Sequence, residues 1–274
     1  MLKKFKVNGV NINAEMFNSA AELVRVSATR TRTDERFHNM SDSKEVRAGF
    51  TSVNSLDEAL ELLRTGYQPS VEKLQSAVKV SGQRKRATFH NDVVGFAPVV
   101  PLAMMGVPQS MINMTMTTIK AKVIDVYFDM TCSCTTSTET IIRNGQKLLS
   151  AILNLEMQGY RFNLYAIQSY SNRQQGADLL CVKVKNASAP LDIKRMSFPL
   201  THPAFFRVIG FDWYSKVPGG TYRTGYGHAL GYDYGREALN NMFRQMFGNK
   251  AAVVFSAAHM LQDIEGALKG ESAA

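Results

Sequence analysis

Asp129, Thr131, Cys132, Ser133 and Cys134 form the densest group of chemically capable side chains in the sequence. They follow VIDVYF, an apolar run that reads as a β-strand. Ligands of α/β sheets gather beyond the carboxyl ends of strands, and Asp129 stands at such an end. A looping backbone can turn the oxygens of Asp129, Thr131 and Ser133 to one point. Hard cations such as Mg²⁺ require oxygen ligands of this kind. These three are therefore the candidate metal ligands, and Mg²⁺ is the candidate cofactor. Two other readings remain open. Thr135, Ser137 or Thr138 can cap the helix that follows. Cys132 and Cys134 invite a thiol or zinc site. Structural zinc usually takes four ligands, often with Cys-x-x-Cys spacing; Cys181 and five scattered His are the remaining soft donors, so buried, unreactive thiols are expected. His202, His228 and His259 read as structural residues, with none placed to activate a cysteine.

The elements that must position this group follow from periodicity. TETIIRNGQKLLSAILNLEMQGY places Ile141, Ile142, Leu148, Leu149, Ile152, Leu153 and Leu155 at helical spacing and predicts a long helix ending near Gly159. RFNLYAIQSYS and ADLLCVKVK read as strands on either side of a polar loop. PLDIKRMSFPL predicts a short helix with Pro190 near its start. GREALNNMFRQMFGN predicts a helix, KAAVVFSA a strand and AHMLQDIEGALK a final helix. The alternation defines an α/β sheet with covering helices. Upstream, MINMTMTTIKAKVIDVYFDM is rich in β-branched residues and predicts one long strand or two joined ones. VVGFAPVVPLAMMGVP, with its Pro and Gly, predicts an irregular apolar segment.

Towards the N-terminus, SLDEALELLRTG carries a capping box at Ser55 and Glu58, an apolar face of Leu56, Ala59, Leu60 and Leu63, and a terminating Gly66. Asp57, Glu58 and Glu61 read as cap and macrodipole partners. A second helix is expected after Pro69 with Ser70 as its cap, forming a helical hairpin with the first. Residues 1 to about 50 are polar and basic, with a single helix expected around Ala20, Leu23, Val24 and Val26.

The chain of 274 residues, with a net charge of +9, is long enough for a sizeable core and basic enough to suit an acidic partner. Arg84, Lys85 and Arg86, in a stretch expected as a loop, are the candidate nucleic-acid contacts. Phe89 and His90 are near enough to stack on a base, and Arg30 and Arg32 could extend the patch. Tyr222, Tyr226, Tyr232 and Tyr234, interleaved with glycines, are candidate protein contacts. Three cysteines and no apolar run of spanning length point to a reducing, cytoplasmic setting without a membrane partner. Phosphate-binding, nucleophile-elbow, zinc-protease and kinase signatures are all absent from the sequence.

The Asp129 loop resembles the Asp-x-Ser-x-Ser metal-ion-dependent adhesion site of von Willebrand factor A domains. Here Thr131 stands for the first Ser, and Cys132 for the usual small residue between the hydroxyls. MQGYRFNLYAIQS resembles the helix end, turn and second strand of such domains. The resemblance implies a doubly wound, von Willebrand A-like sheet, and it makes Asp192 a candidate downstream ligand. The segments SLDEALELLRTGY, DVVGFAPVVPLAMMGVPQSM, LEMQGYRFNLYA and VKVKNASAPLDIKRMSFPLTHPAFFRVIGF, with a later GYG, resemble a protein family carried by phages and prophages. That implies a viral or mobile-element origin in a bacterial host and transfers no catalytic residue. The expectation is an N-terminal helical and basic segment over 1–88 and a von Willebrand A-like domain over 89–274. The expected function is non-enzymatic binding of a macromolecule within a larger assembly, through a protein partner or a homo-oligomer. Nucleic-acid binding and a metal-dependent enzyme at Asp129 are the alternatives.

Overall fold

The computed structural model describes residues 2–7, 9–31, 50–77, 85–118, 123–172, 176–217, 236–248, 253–259 and 261–269. Its main sheet is built from β1 (Leu2–Val7), β2 (Val10–Phe17), β6 (Val123–Asp129), β7 (Arg161–Asn172), β8 (Gly176–Lys185) and β9 (Val253–Ser256), in the order β1-β2-β8-β7-β6-β9. β6 lies between β7 and β9 and is parallel to both. β7 and β8 form an antiparallel pair, and β2 runs parallel to β8. A second sheet, of three strands, holds β3 (Lys85–Asp92), β5 (Met111–Thr118) and β4 (Ala97–Pro98) in that order.

The pleat of β6 sends successive side chains to opposite faces of the sheet. Ile124, Val126 and Phe128 enter the larger core, with Leu148, Leu149, Ile152 and Leu155 of the long helix α5 (Thr138–Met157). Tyr127 enters the smaller core, with Tyr165, Ile167, Leu179 and Phe243. Phe243 belongs to α8 (Arg236–Phe247), and Tyr127 stacks on Tyr165 at a ring-centroid distance of 4.7 Å. The larger face also carries α2 (Leu56–Thr65), α3 (Gln68–Ala77), α6 (Ile193–Thr201) and α9 (Ile264–Lys269). The remaining helices are α1 (Ala20–Ala28), the short α4 (Val100–Met104) within the second sheet's long connection, and α7 (Phe211–Tyr214), which continues a π-helical turn at Phe205–Gly210.

Local signals hold at several helix ends. Ser55 Oγ accepts a hydrogen bond from Glu58 N–H at 3.1 Å, and Gly66 ends α2 at a φ of +78°. Ser137 caps α5 by accepting from Thr140 N–H. Ser70 differs: it is not the cap of α3, which begins at Gln68. Its buried hydroxyl instead bonds the Thr201 hydroxyl and accepts from Gln146 Nε2, both at 2.9 Å.

Other expectations are corrected. The N-terminal region supplies a β-hairpin as well as helix α1. β2 pairs with β8 from Ile12↔Ala177 to Phe17↔Val182, so the sheet crosses the expected boundary at residue 88. The period-2 alternation of Val10, Ile12, Ala14 and Met16 with Asn11, Asn13 and Glu15 is itself a strand signal, which an overall polar and basic composition obscures. The stretch 111–129 is two strands in different sheets. Residues 85–90 are strand, held by pairing to β5, rather than loop.

Gly145 shows how closely α5 and α6 approach. A Cβ at this position would lie 2.0 Å from the Leu200 carbonyl oxygen. Gly→Ala usually gains about 1 kcal/mol inside a helix. Here overpacking against backbone reverses the sign, and Gly145→Ala is expected to cost about 1–3 kcal/mol. Urea unfolding of the full chain measures this; a gain in stability would contradict the close approach.

Candidate functional site

Asp129 is the last residue of β6 and is 2% exposed. Its Oδ1 accepts from Thr131 N–H at 3.0 Å, and its Oδ2 accepts from the Ser169 hydroxyl at 3.2 Å. Thr131 Oγ1 in turn accepts from Ser169 N–H at 2.8 Å. The strand end, the turn and neighbouring β7 are thus closed into one buried network. Burial is the dominant influence on Asp129 and pushes its pKa up to about 6, against the opposing effect of hydrogen bonds from Thr131 and Ser169.

The structure brings Thr131 to Asp129 but gives Ser133 a different role. Ser133 is exposed, and its Oγ bonds the Thr135 hydroxyl at 3.0 Å and accepts from Thr135 N–H. Asp192 caps α6 by accepting from Arg195 N–H. Ser169, which sequence reasoning missed, completes the network from β7. Its position two residues after Ile167, the register partner of Asp129, is the signal that strand pairing supplies.

The second missed residue is Arg207, on the π-helical turn. It is 4% exposed, and its guanidinium reaches the outer side of the same loop. One terminal nitrogen donates to the Ser133 carbonyl at 3.2 Å and the Thr136 carbonyl at 2.9 Å, and lies 3.8 Å from Cys132 Sγ. The other donates to the Phe50 carbonyl at 2.7 Å. The Phe50 ring lies 3.9 Å from the guanidinium carbon, within cation–π range. A fixed cation therefore holds the loop carbonyls that a sequence reading would leave free. Burial raises the Cys132 thiol to about 11, which keeps it protonated.

These donors do not fit a hard divalent cation. Both Asp129 oxygens already accept hydrogen bonds, Ser133 is committed to Thr135, and Arg207 brings positive charge to the loop. Among the described residues no group of three His, Cys, Asp or Glu is arranged to hold a metal. The arrangement is suited to fixing the geometry of a loop. Cys181 is buried, Cys134 is exposed, and no disulfide joins the described cysteines. His202 is buried, pushed down to about 4 by burial, and packs edge-on against Tyr67; its Nδ1 accepts from Ala204 N–H. His259 is exposed.

The other candidates divide. Arg84, Arg32, His228, Tyr222, Tyr226, Tyr232 and Tyr234 lie outside the described residues. Lys85 and Arg86 stand on β3, opposite Thr118 and Thr117 of β5. Arg30 does not extend a basic patch. It forms a two-pronged ion pair with buried Glu15, which also accepts from Trp213 Nε1 at 2.8 Å.

Fold and site define a mixed α/β protein whose six-stranded sheet ends, at β6, in a sealed aspartate loop. The chain belongs to the family described as Domain of unknown function (DUF7192), whose model matches residues 6–265. No curated protein and no solved structure matches it. Among the described residues, no helix is long and apolar enough to cross a membrane.

The raised pKa of Asp129 sets a pH dependence. Its unfolded value is about 3.9 and its folded value about 6, so the folded state holds more protons between them. The Asp129 contribution to stability should therefore fall as pH rises from about 4 to about 6 and level off above, by on the order of 1–3 kcal/mol, while buried His202, pushed down to about 4, opposes it over the same window. Buried Asp178, also pushed up to about 6, adds in the same direction as Asp129. Asp129→Asn should remove that residue's contribution, so that its stability falls less, or rises more, than that of wild type across this window. Urea titrations at several pH values give the readout, and an unchanged slope in the variant would reject the assignment.

Proposed function

We propose that this chain is a non-enzymatic binding protein with a von Willebrand A-like core, working as a component of a larger assembly. The arrangement around β6 supports the core assignment: β7 parallel on one side, β8 antiparallel beyond it, and β9 parallel on the other side. Asp129 at the carboxyl end of β6 supports it as well. One observation carries the non-enzymatic reading: Arg207 occupies the Asp129 loop as a built-in cation, bonded to the Ser133 and Thr136 carbonyls. A metal-dependent enzyme would need that loop open to an ion and a substrate. The binding reading is supported by the second sheet and its connections, which expose Phe89, Val94, Phe96, Met104 and Met105. Contiguous exposed apolar surface marks interaction sites. An origin in a phage or prophage, and a place in the host cytoplasm, rest on the sequence resemblance.

Nucleic-acid binding is the second reading. Lys85 and Arg86 lie on the same strand as Phe89, which is 61% exposed. Phosphate contacts weaken steeply with salt. Under the leading reading, binding of DNA or RNA fragments is absent or insensitive to salt.

Calorimetry with Mg²⁺, Mn²⁺ and Ca²⁺ tests the sealed loop. Wild type and Asp129→Ala should give the same blank traces. Saturable heat in wild type that is lost in Asp129→Ala would restore the metal reading. A tagged full chain, purified from infected or lysogenic cells after nuclease treatment, should retain a stoichiometric protein partner. Recovery of nucleic acid alone would favour the second reading.

A further inference from the structure

We infer that β3 is a self-pairing edge, and that two copies of this chain join through it in an antiparallel, two-fold-symmetric strand pair centred on Phe89. This rests on the reading that the chain acts by binding macromolecules, and it names one partner: a second copy.

The first observation is the edge itself. In the sheet order β3-β5-β4, β3 pairs with β5 along one side, and no strand lies on its other side among the described residues. It is a full eight residues long and contains no proline. Natural proteins usually shorten, cover or break such edges, because unpaired backbone groups recruit another strand. Ala87, Thr88, Phe89, His90 and Asn91 are all exposed, so this stretch has neither face covered.

The second observation is the side-chain pattern. Ala87, Phe89 and Asn91 alternate with Thr88, His90 and Asp92 along the pleat. Directly opposite Phe89 on β5 is Met114, and opposite Thr88 and His90 are Thr115 and Asn113. The sheet thus has an apolar face, on which Phe89 also meets Phe96 edge-on at 6.2 Å, and a polar face.

The third observation decides the occupant. A two-fold axis through an antiparallel pair runs perpendicular to the sheet, so residues of the same pleat face must stand opposite one another. Centring the axis on Phe89 sets Phe89 against its own copy and Thr88 against His90. It also sets position 86, an arginine, against Asp92 of the second copy, and symmetry repeats that pair. The strand reads KRATFHND: basic at one end, acidic at the other, and so complementary to itself when reversed. Shifting the axis by one residue, to Thr88, sets position 86 against His90 and loses the opposite-charge match. An isologous contact needs this kind of self-complementarity. Strand addition also carries each apolar connection, with Val93, Val94 and Phe96, past the start of the second copy's β3.

Analytical ultracentrifugation of the full chain should show a reversible dimer. Arg86→Asp and Asp92→Arg should each weaken it at least about tenfold, and the double variant should recover most of the loss. Cysteine cross-linking reads the register. Directly opposed residues have Cα atoms about 4.5–5.5 Å apart, within disulfide range. In a Cys134→Ser background, Phe89→Cys should cross-link to its copy on mild oxidation. Asn91→Cys, displaced from its own copy by four strand positions, should not. A chain that stays monomeric, or that cross-links equally at both positions, overturns the inference. So does a monomer that instead floats with phosphatidylglycerol vesicles, which would assign the apolar arm to a bilayer. A dimer without any assembly partner in the purification would sustain this pairing while removing the wider reading.

Discussion

The buried Arg207 guanidinium is the constraint on which the Asp129 end of the molecule depends. A charge removed from water must find hydrogen-bond partners or cost several kcal/mol. Arg207 finds backbone carbonyls in two places, Ser133 and Thr136 after β6 and Phe50 before α2, and an aromatic face at Phe50. To reach them it projects from a π-helical turn, a geometry that changes the direction of a side chain relative to a regular helix. One side chain therefore joins the loop after β6, the chain entering α2 and the helical segment after α6. Beneath it, Asp129, Thr131 and Ser169 tie β6 to β7 from the inside. The loop is clamped from both sides.

Similar pairings secure the rest of the sheet. Glu15 on β2 is held by Arg30 and Trp213, which joins the N-terminal hairpin to the segment after the π turn. Lys185 on β8 and Glu156 on α5 form a buried ion pair with an N–O separation of 2.7 Å. Removing one member of such a pair leaves an uncompensated charge, whereas the intact pair adds little net stability. Their effect is to specify how the elements join. The two apolar cores on either face of the sheet supply the main driving force for folding.

The second sheet follows different physics. Its strands pair through β5, which leaves the outer edge of β3 without a strand among the described residues, and its apolar face is left to solvent at Phe89 and Met114. Several donors in its connection are closed internally: Phe96 N–H to Ile112 O, Val99 N–H to Ser110 O and Val107 N–H to Leu102 O. The connection is thus ordered by its own backbone, while the strand edge and the apolar side chains stay open. The Asp129 loop is buried and cross-tied, whereas the second sheet leaves apolar side chains exposed.

Periodicity and caps determined most of the main helices and the strands from β6 to β9, because those signals lie within a few residues of each other. The capping box at Ser55, the apolar stripe of α5 and the apolar run of VIDVYF needed no tertiary information. Asp129 and Thr131 were legible as a pair for the same reason. Their true partners were not. Ser169 reaches Asp129 only through the pairing of β6 with β7, and Arg207 arrives from 71 positions beyond Thr136. Strand β2 carried its alternation in the sequence, but that Glu15 is buried by pairing with Arg30 and Trp213 was not legible there. Tertiary structure alone turned a hydroxyl-rich turn with metal-like spacing into a loop held by a guanidinium, because burying that cation required the carbonyls that the loop supplies.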